Sequence, residues 1–226
     1  QVMGQRHKDV KNGLSAPPRI TPSNFFDMAT KLSWVMEMLQ TKRHNFGNVV
    51  GHAKGVSDTK SLASWTAEQF DPQLDWKEVK SIRDMWDGKV ILKGIFDEED
   101  AKLALKIGAD AIIVSNHGGR QLDGAPSSIR VLPKILEAVG DKIEVHMDGG
   151  IRSGQSVLKA LAMGAKGTYI GRSFVYGLGA MGEKGVGTAL SIIQKELETT
   201  MALCGCRSID DLSRDVLLLP AEFSDN

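Results

Sequence analysis

From residue 87 onward, short apolar runs alternate with longer stretches whose apolar residues recur at helical spacing. Val90-Ile91-Leu92 predicts a strand, and a helix over 98–107 follows, with Asp97 as its N-cap and Gly108 as its stop. Residues 111–114 predict the next strand and 128–139 the next helix. A third strand is expected over 144–147. The helix after it, over 155–163, is begun by Ser153 and ended by Gly164. The last strand is expected over 168–170, with helical stretches at 175–180 and 186–204 behind it. Strand and helix alternating through short turns means parallel strands joined by crossover helices.

An internal repeat sharpens this. Ala104-Leu105-Lys106-Ile107-Gly108-Ala109-Asp110 and Ala160-Leu161-Ala162-Met163-Gly164-Ala165-Lys166 share one pattern, a helix end and a Gly-Ala turn leading into a buried strand. Two copies of one αβ unit favour a (β/α) barrel over an irregular sheet.

Residues 1–74 break the rhythm. Pro17, Pro18 and Pro22 interrupt the chain early, and 24–40 predicts one amphipathic helix carrying Phe25, Phe26, Met28, Leu32, Val35, Met36 and Leu39. The stretch 41–71 is rich in glycine and polar residues, with no strand signal. A helix over 76–86 leads into the first strand. Four strands are counted where a closed barrel needs eight, and a complete barrel takes roughly 250 residues. The expected fold class is therefore α/β, the C-terminal half of a (β/α)8 barrel. Residues 75–226 would form the barrel half, and 1–74 a long loop or lid segment after the fourth barrel strand.

Composition narrows the partners. Lysine plus arginine equals aspartate plus glutamate, 28 each, so no global field draws nucleic acid, and no nucleic-acid partner is expected. Cys204 and Cys206 stand one residue apart and cannot staple a fold, which suits a reducing compartment. The expected location is the cytoplasm. No apolar run reaches the roughly 20 residues of a membrane-spanning helix, and no metal site is read.

The candidate chemistry falls at the strand ends, where barrel enzymes place their active sites. Lys93 closes the first predicted strand, Ser115 and His117 the second, Asp148 the third, and Gly171-Arg172 the fourth. His117 is a side chain that can take a proton near neutral pH. Arg120, three residues on, offers a planar fork that matches a carboxylate. Asp148-Gly149-Gly150-Ile151-Arg152 precedes a helix start and reads as an anion site, with Arg152 and Arg172 able to close it. A base, a carboxylate clamp and a phosphate site together describe oxidation next to a carboxylate.

The runs SNHGGRQLD at 115–123, LKG at 92–94, DGGIR at 148–152 and GR at 171–172 closely resemble the FMN-dependent enzymes that oxidise 2-hydroxy acids. Among these are glycolate oxidase, L-lactate dehydrogenase and mandelate dehydrogenase. The resemblance covers about 4–218 and leans toward bacterial L-lactate dehydrogenases, on the wording around Asp71-Pro72 and Asp75-Trp76-Lys77. It implies FMN as cofactor and an L-2-hydroxy acid, lactate, as substrate. His117 would be the active-site base, Arg120 would bind the substrate carboxylate, and Arg6 would line the substrate-binding site. Lys93, Ser115, Asp148, Gly149, Gly150, Ile151, Arg152, Gly171 and Arg172 would hold the flavin. It also implies a quinone, cytochrome or O2 as electron acceptor and a homotetramer.

In this family, residues 14–74 would correspond to a variable segment over the active site that attaches some members to the inner face of the cytoplasmic membrane. Phe25, Phe26, Trp34 and Met36 fit an interfacial helix or a lid helix packed on the barrel equally well. The family's first four strands, with the aspartate that pairs with the histidine, would precede Gln1, so the 226-residue piece is expected to be inactive alone. Two other readings stay open: a flavin-free barrel isomerase or lyase with a phosphorylated substrate, and a non-catalytic half-barrel module.

Overall fold

A computed structural model describes residues 7–13, 20–42 and 73–220, with Phe223 and scattered positions between 47 and 68. The chain divides into two compact units, Gln1–Leu74 and Asp75–Asn226.

In the first unit, the described residues form α1 (His7–Lys11), α2 (Pro22–Ala29) and α3 (Leu32–Gln40). A capping box starts α2. The Asn24 N–H donates to Thr21 Oγ1, the Thr21 N–H donates to Asn24 Oδ1, and Pro22 takes the first helical position. The single helix expected over 24–40 is two helices. Thr30 turns its hydroxyl back to the Asp27 carbonyl at 2.7 Å, and Lys31 leaves the helical region at φ −109°, ψ 57°. Threonine offers the backbone this local alternative, which apolar spacing alone does not reveal. Arg6 and most of 43–72 lie outside the described residues.

The second unit carries α4 (Trp76–Met85), β1 (Ile91–Ile95), α5 (Glu98–Lys106), β2 (Ala111–Val114), α6 (Ser128–Val139), β3 (Glu144–Met147), α7 (Gly154–Ala162), β4 (Gly167–Thr168) and α8 (Arg172–Leu203). The sheet order is β1-β2-β3-β4, and every pairing is parallel. Asp97 and Ser153 cap α5 and α7 with their side chains, as expected. Two bonds anchor α4: Trp76 Nε1 donates to Asp100, and Arg83 Nε donates to the Gly108 carbonyl.

The repeat proves to be one hydrogen-bonded device used twice. The Ala109 N–H reaches the Ala104 carbonyl and the Ala165 N–H the Ala160 carbonyl, both at 3.1 Å. Gly108 and Gly164 sit between, at φ 81° and 113°. This is the Schellman ending, which needs a left-handed residue. The next N–H then enters the sheet: Asp110 bonds the Val90 carbonyl and Lys166 the Val145 carbonyl.

Leu92, Ile112, Val114, Val145 and Met147 turn toward the helices and join a core with Ala101, Ala104, Leu132, Ile135 and Ala160. On the other face of the sheet Lys93, Ile113, His146 and Gly167 stand side by side in register. Three boundaries differ from expectation. β1 continues to Ile95 through a register slip at Gly94, so Lys93 is mid-strand rather than terminal. β4 is only Gly167–Thr168, although the Tyr169 N–H still bonds the Met147 carbonyl at 3.0 Å. The two expected C-terminal helical stretches are present within α8, separated by a break at Met181 and Gly182, and the first of them begins earlier than expected, at Arg172.

Candidate active site

The carboxyl ends of the four strands surround a cavity of about 240 Å³. Lys93, Arg120, Arg152 and Arg172 line it against a single carboxylate, Asp148, and His117 stands at its edge. Four cations around one carboxylate make it a site for an anion.

Lys93 organises the floor. Its Nζ donates to Ser115 Oγ at 2.8 Å and pairs with Asp148 Oδ2 at 2.8 Å. Ser115 is buried and also accepts the His117 N–H at 3.1 Å. One serine oxygen thus fixes the lysine and the backbone of the loop that carries the histidine.

That loop is strained. His117 has φ 55° and is the one non-glycine with positive φ among the described residues, and Gly118 and Gly119 follow at 66° and 71°. Histidine tolerates this region better than most side chains, yet the conformation persists only where neighbours hold it. They do so here: the Arg120 N–H bonds the His117 carbonyl, and Arg172 Nη2 donates to the Gly118 carbonyl at 3.3 Å. The imidazole is left exposed at the cavity.

Two residues outside the expected set complete the site. A Cβ at Gly149 would lie 2.7 Å from Ser128 Oγ and 2.9 Å from Asn116 Oδ1. Asn116 Nδ2 donates to the Pro126 carbonyl, and the Asn116 N–H donates to Ser128 Oγ. Asn116 and Ser128 therefore pack directly against Gly149. Asn116 lies inside the run SNHGG and could have been read with it. Ser128 has no such signal, because its part depends on packing across 21 residues of chain.

The donor set can be tested against a phosphate-bearing flavin. Asp148 Oδ1 is buried and has no partner among the described residues, an acceptor that suits a ribityl hydroxyl. No side chain caps the start of α8 after Gly171, which leaves its first N–H groups and positive end for a phosphate. Arg152 and Arg172 flank that end. The residues fit FMN. Ile151 lines the same cavity, but its side chain is buried in the core.

A family model described as FMN-dependent dehydrogenase matches residues 1–219. The chain belongs to this family. Proteins similar to it include the L-lactate dehydrogenase of Caulobacter sp. strain K31, 44% identical over 220 residues that cover 96% of this chain and 57% of that protein. The L-lactate dehydrogenase of Pseudomonas aeruginosa strain LESB58 is 41% identical over 218 residues, with 96% and 57% covered. Of solved structures, that of a monotopic membrane protein, (S)-mandelate dehydrogenase, matches with a TM-score of 0.88 at 34% identity, over 96% of this chain and 57% of that one. Mandelate oxidase matches with a TM-score of 0.64 at 44% identity, over 70% and 46%. The chain spans a little over half the length of the dehydrogenases it matches. Its four-stranded parallel sheet with crossover helices is a partial (β/α)8 barrel, the fold class expected from the sequence.

Of the residues expected in the site, Lys93, His117, Arg120, Asp148, Gly149, Gly150, Ile151, Arg152, Gly171 and Arg172 line one cavity. Ser115 lies beneath it, bonded to Lys93.

Proposed function

We propose that the protein carrying this chain oxidises an L-2-hydroxy acid, L-lactate, to the 2-oxo acid, with FMN as cofactor. The cavity that sets four cations and one carboxylate beside the strained, exposed His117 carries this reading. The names of the curated relatives support lactate as the substrate. Lys93, Ser115, Asp148, Gly149, Gly150, Ile151, Arg152, Gly171 and Arg172 hold the cofactor in this proposal. The chemistry FMN supplies when bound is acceptance of the two electrons that leave the substrate.

The chain's own residues do the rest. Arg120 holds the substrate carboxylate by a forked, charge-assisted pair of hydrogen bonds, and Arg6 is assigned to the substrate-binding site. An imidazole nitrogen of His117 takes a proton from the substrate as it is oxidised. The bond from Arg172 to the Gly118 carbonyl steadies the loop that carries that imidazole. Lys93 would help hold the flavin, and its ammonium would supply positive charge to the cofactor site.

The electron acceptor is a quinone, a cytochrome or O2, and the protein works as a homotetramer at the membrane surface. Support for the surface comes from α2 and α3, where Phe25, Phe26, Leu32, Met36 and Leu39 are all more than half exposed. No described helix is long and apolar enough to cross a bilayer, so contact would be interfacial. Sedimentation with anionic lipid vesicles checks it: Phe25→Ser with Phe26→Ser should release the protein, and unchanged binding would remove the assignment.

A visible spectrum of the full-length protein reconstituted with FMN, before and after anaerobic L-lactate, tests the function. A flavin band that bleaches is the expected result. A bound flavin that stays oxidised would move the substrate elsewhere, and no flavin band would favour a flavin-free, phosphate-binding barrel.

A further inference from the structure

Beside the cavity, three side chains without a role in the proposal above form a connected row. Glu144 Oε2 lies 3.1 Å from His146 Nε2, and His146 Nδ1 lies 3.3 Å from the Tyr169 hydroxyl. The two rings also stack, with centroids 5.7 Å and planes 29° apart. Tyr169 is one of the residues that line the cavity, as are Arg172 and Lys93. Its backbone is already held by Met147, so the ring is the part left to be placed.

The place for His146 is built. Its side chain is only 17% exposed, and an enclosed imidazole needs a partner for each nitrogen. Glu144 and Tyr169 supply them. Gly167, its neighbour in register on β4, supplies the room: a Cβ there would lie 2.8 Å from His146 Nδ1 and 3.1 Å from its Cε1. The β2 neighbour in register is the apolar Ile113. A hydrogen bond, a ring stack and a vacated Cβ therefore converge on the orientation of one tyrosine ring.

We infer that His146 is a positioning residue for the cofactor pocket: oriented by Glu144 and given space by Gly167, it holds the Tyr169 ring as a preformed wall and so sets the affinity for FMN. A wall ordered before the ligand arrives spares binding the cost of ordering it. The inference rests on the flavin reading above.

The test is FMN titration of the full-length protein by flavin fluorescence, with visible circular dichroism of the bound flavin as a reporter of its aromatic surroundings. His146→Leu removes both hydrogen bonds and the stack, and is expected to raise the FMN Kd roughly 5- to 20-fold and to change the visible dichroism. Gly167→Ala should do the same from the opposite side by displacing the imidazole. His146→Asn keeps a polar group near the Nδ1 position and should stay within about threefold of the parent protein. Adding Tyr169→Phe to His146→Leu should cost nothing further, since both act on one contact.

Parent-like Kd and dichroism in His146→Leu and Gly167→Ala would overturn the inference alone. A parent protein that binds no FMN would overturn the flavin reading and this inference together. If the core variants fail to fold, Tyr169→Phe decides, because it removes only a hydroxyl. A roughly fivefold rise in Kd supports the inference, and none overturns it.

Discussion

Lys93 Nζ stands 2.8 Å from Asp148 Oδ2, so an ammonium on β1 is paired with the carboxylate that follows β3, across the intervening strand. Ser115, at the end of β2, accepts from the same ammonium. The middle of β1 and the ends of β2 and β3 are thereby tied at one charged atom. The lysine side chain is 44% exposed but that of Asp148 only 16%, so removing the ammonium leaves a largely buried carboxylate without its counter-ion. Lys93→Met should cost about 1–3 kcal/mol of stability while weakening FMN binding at least roughly tenfold, the cost of a charge-assisted hydrogen bond. Thermal melting and flavin titration separate the two effects. A protein that unfolds while keeping its FMN affinity would assign the lysine to the fold.

Gly149 is required twice over. Its φ of 87° is hard for any side chain, and a Cβ would meet Ser128 and Asn116 inside 3 Å. Gly149→Ala is expected to cost about 1–3 kcal/mol, read from urea midpoints. Ser128→Ala in the same chain should recover part of this, because it removes the nearest atom and leaves the backbone strain. If Gly149→Ala is neutral, the turn has more freedom than these distances allow.

The proposed roles of His117 and Arg120 predict different kinetic signatures. His117→Gln should abolish reduction of bound flavin by L-lactate in anaerobic stopped-flow experiments, with binding little altered. Arg120→Met should raise KM strongly, since it removes a ground-state contact with the carboxylate. Unchanged reduction in the first variant, or unchanged KM in the second, removes that assignment.

Acid should loosen the sheet at Asp110. Its carboxyl is held below the ordinary aspartate value chiefly by the Lys89 ammonium and next by the Val90 N–H. The folded carboxyl therefore binds a proton less readily than the unfolded one. The stability this clamp contributes is complete above the ordinary aspartate value and is lost as pH falls through the lowered folded value. Urea midpoints followed from about pH 6 to about pH 2 should fall less steeply in Asp110→Asn than in the parent. Parallel curves would show that the clamp carries no linkage.

Much of the unit from Asp75 onward was legible from pattern alone. The strands at Ala111–Val114 and Glu144–Met147 and the helix Ser128–Val139 lie at their expected positions. Buried parallel strands read as continuous apolar runs, and the Gly-Ala turns that follow two of the helices are punctuated by residues with few alternatives. Where a local device competes with the pattern, the reading slipped. Thr30 split one expected helix into two, and the slip at Gly94 drew Lys93 into the strand interior.

By itself, the sequence determined the order of strands and helices, the parallel half-barrel they form and the chemical identity of the groups at the strand ends, because periodicity, caps and glycine turns act over a few residues. Only the tertiary structure decided which atoms meet. That Lys93 pairs with Asp148, that Ser128 abuts Gly149, and that His146 reaches Tyr169 in space left by Gly167 all depend on strand register. Register is a relation between residues far apart in the chain, set by the packing of the whole sheet against its helices, and no local pattern encodes it.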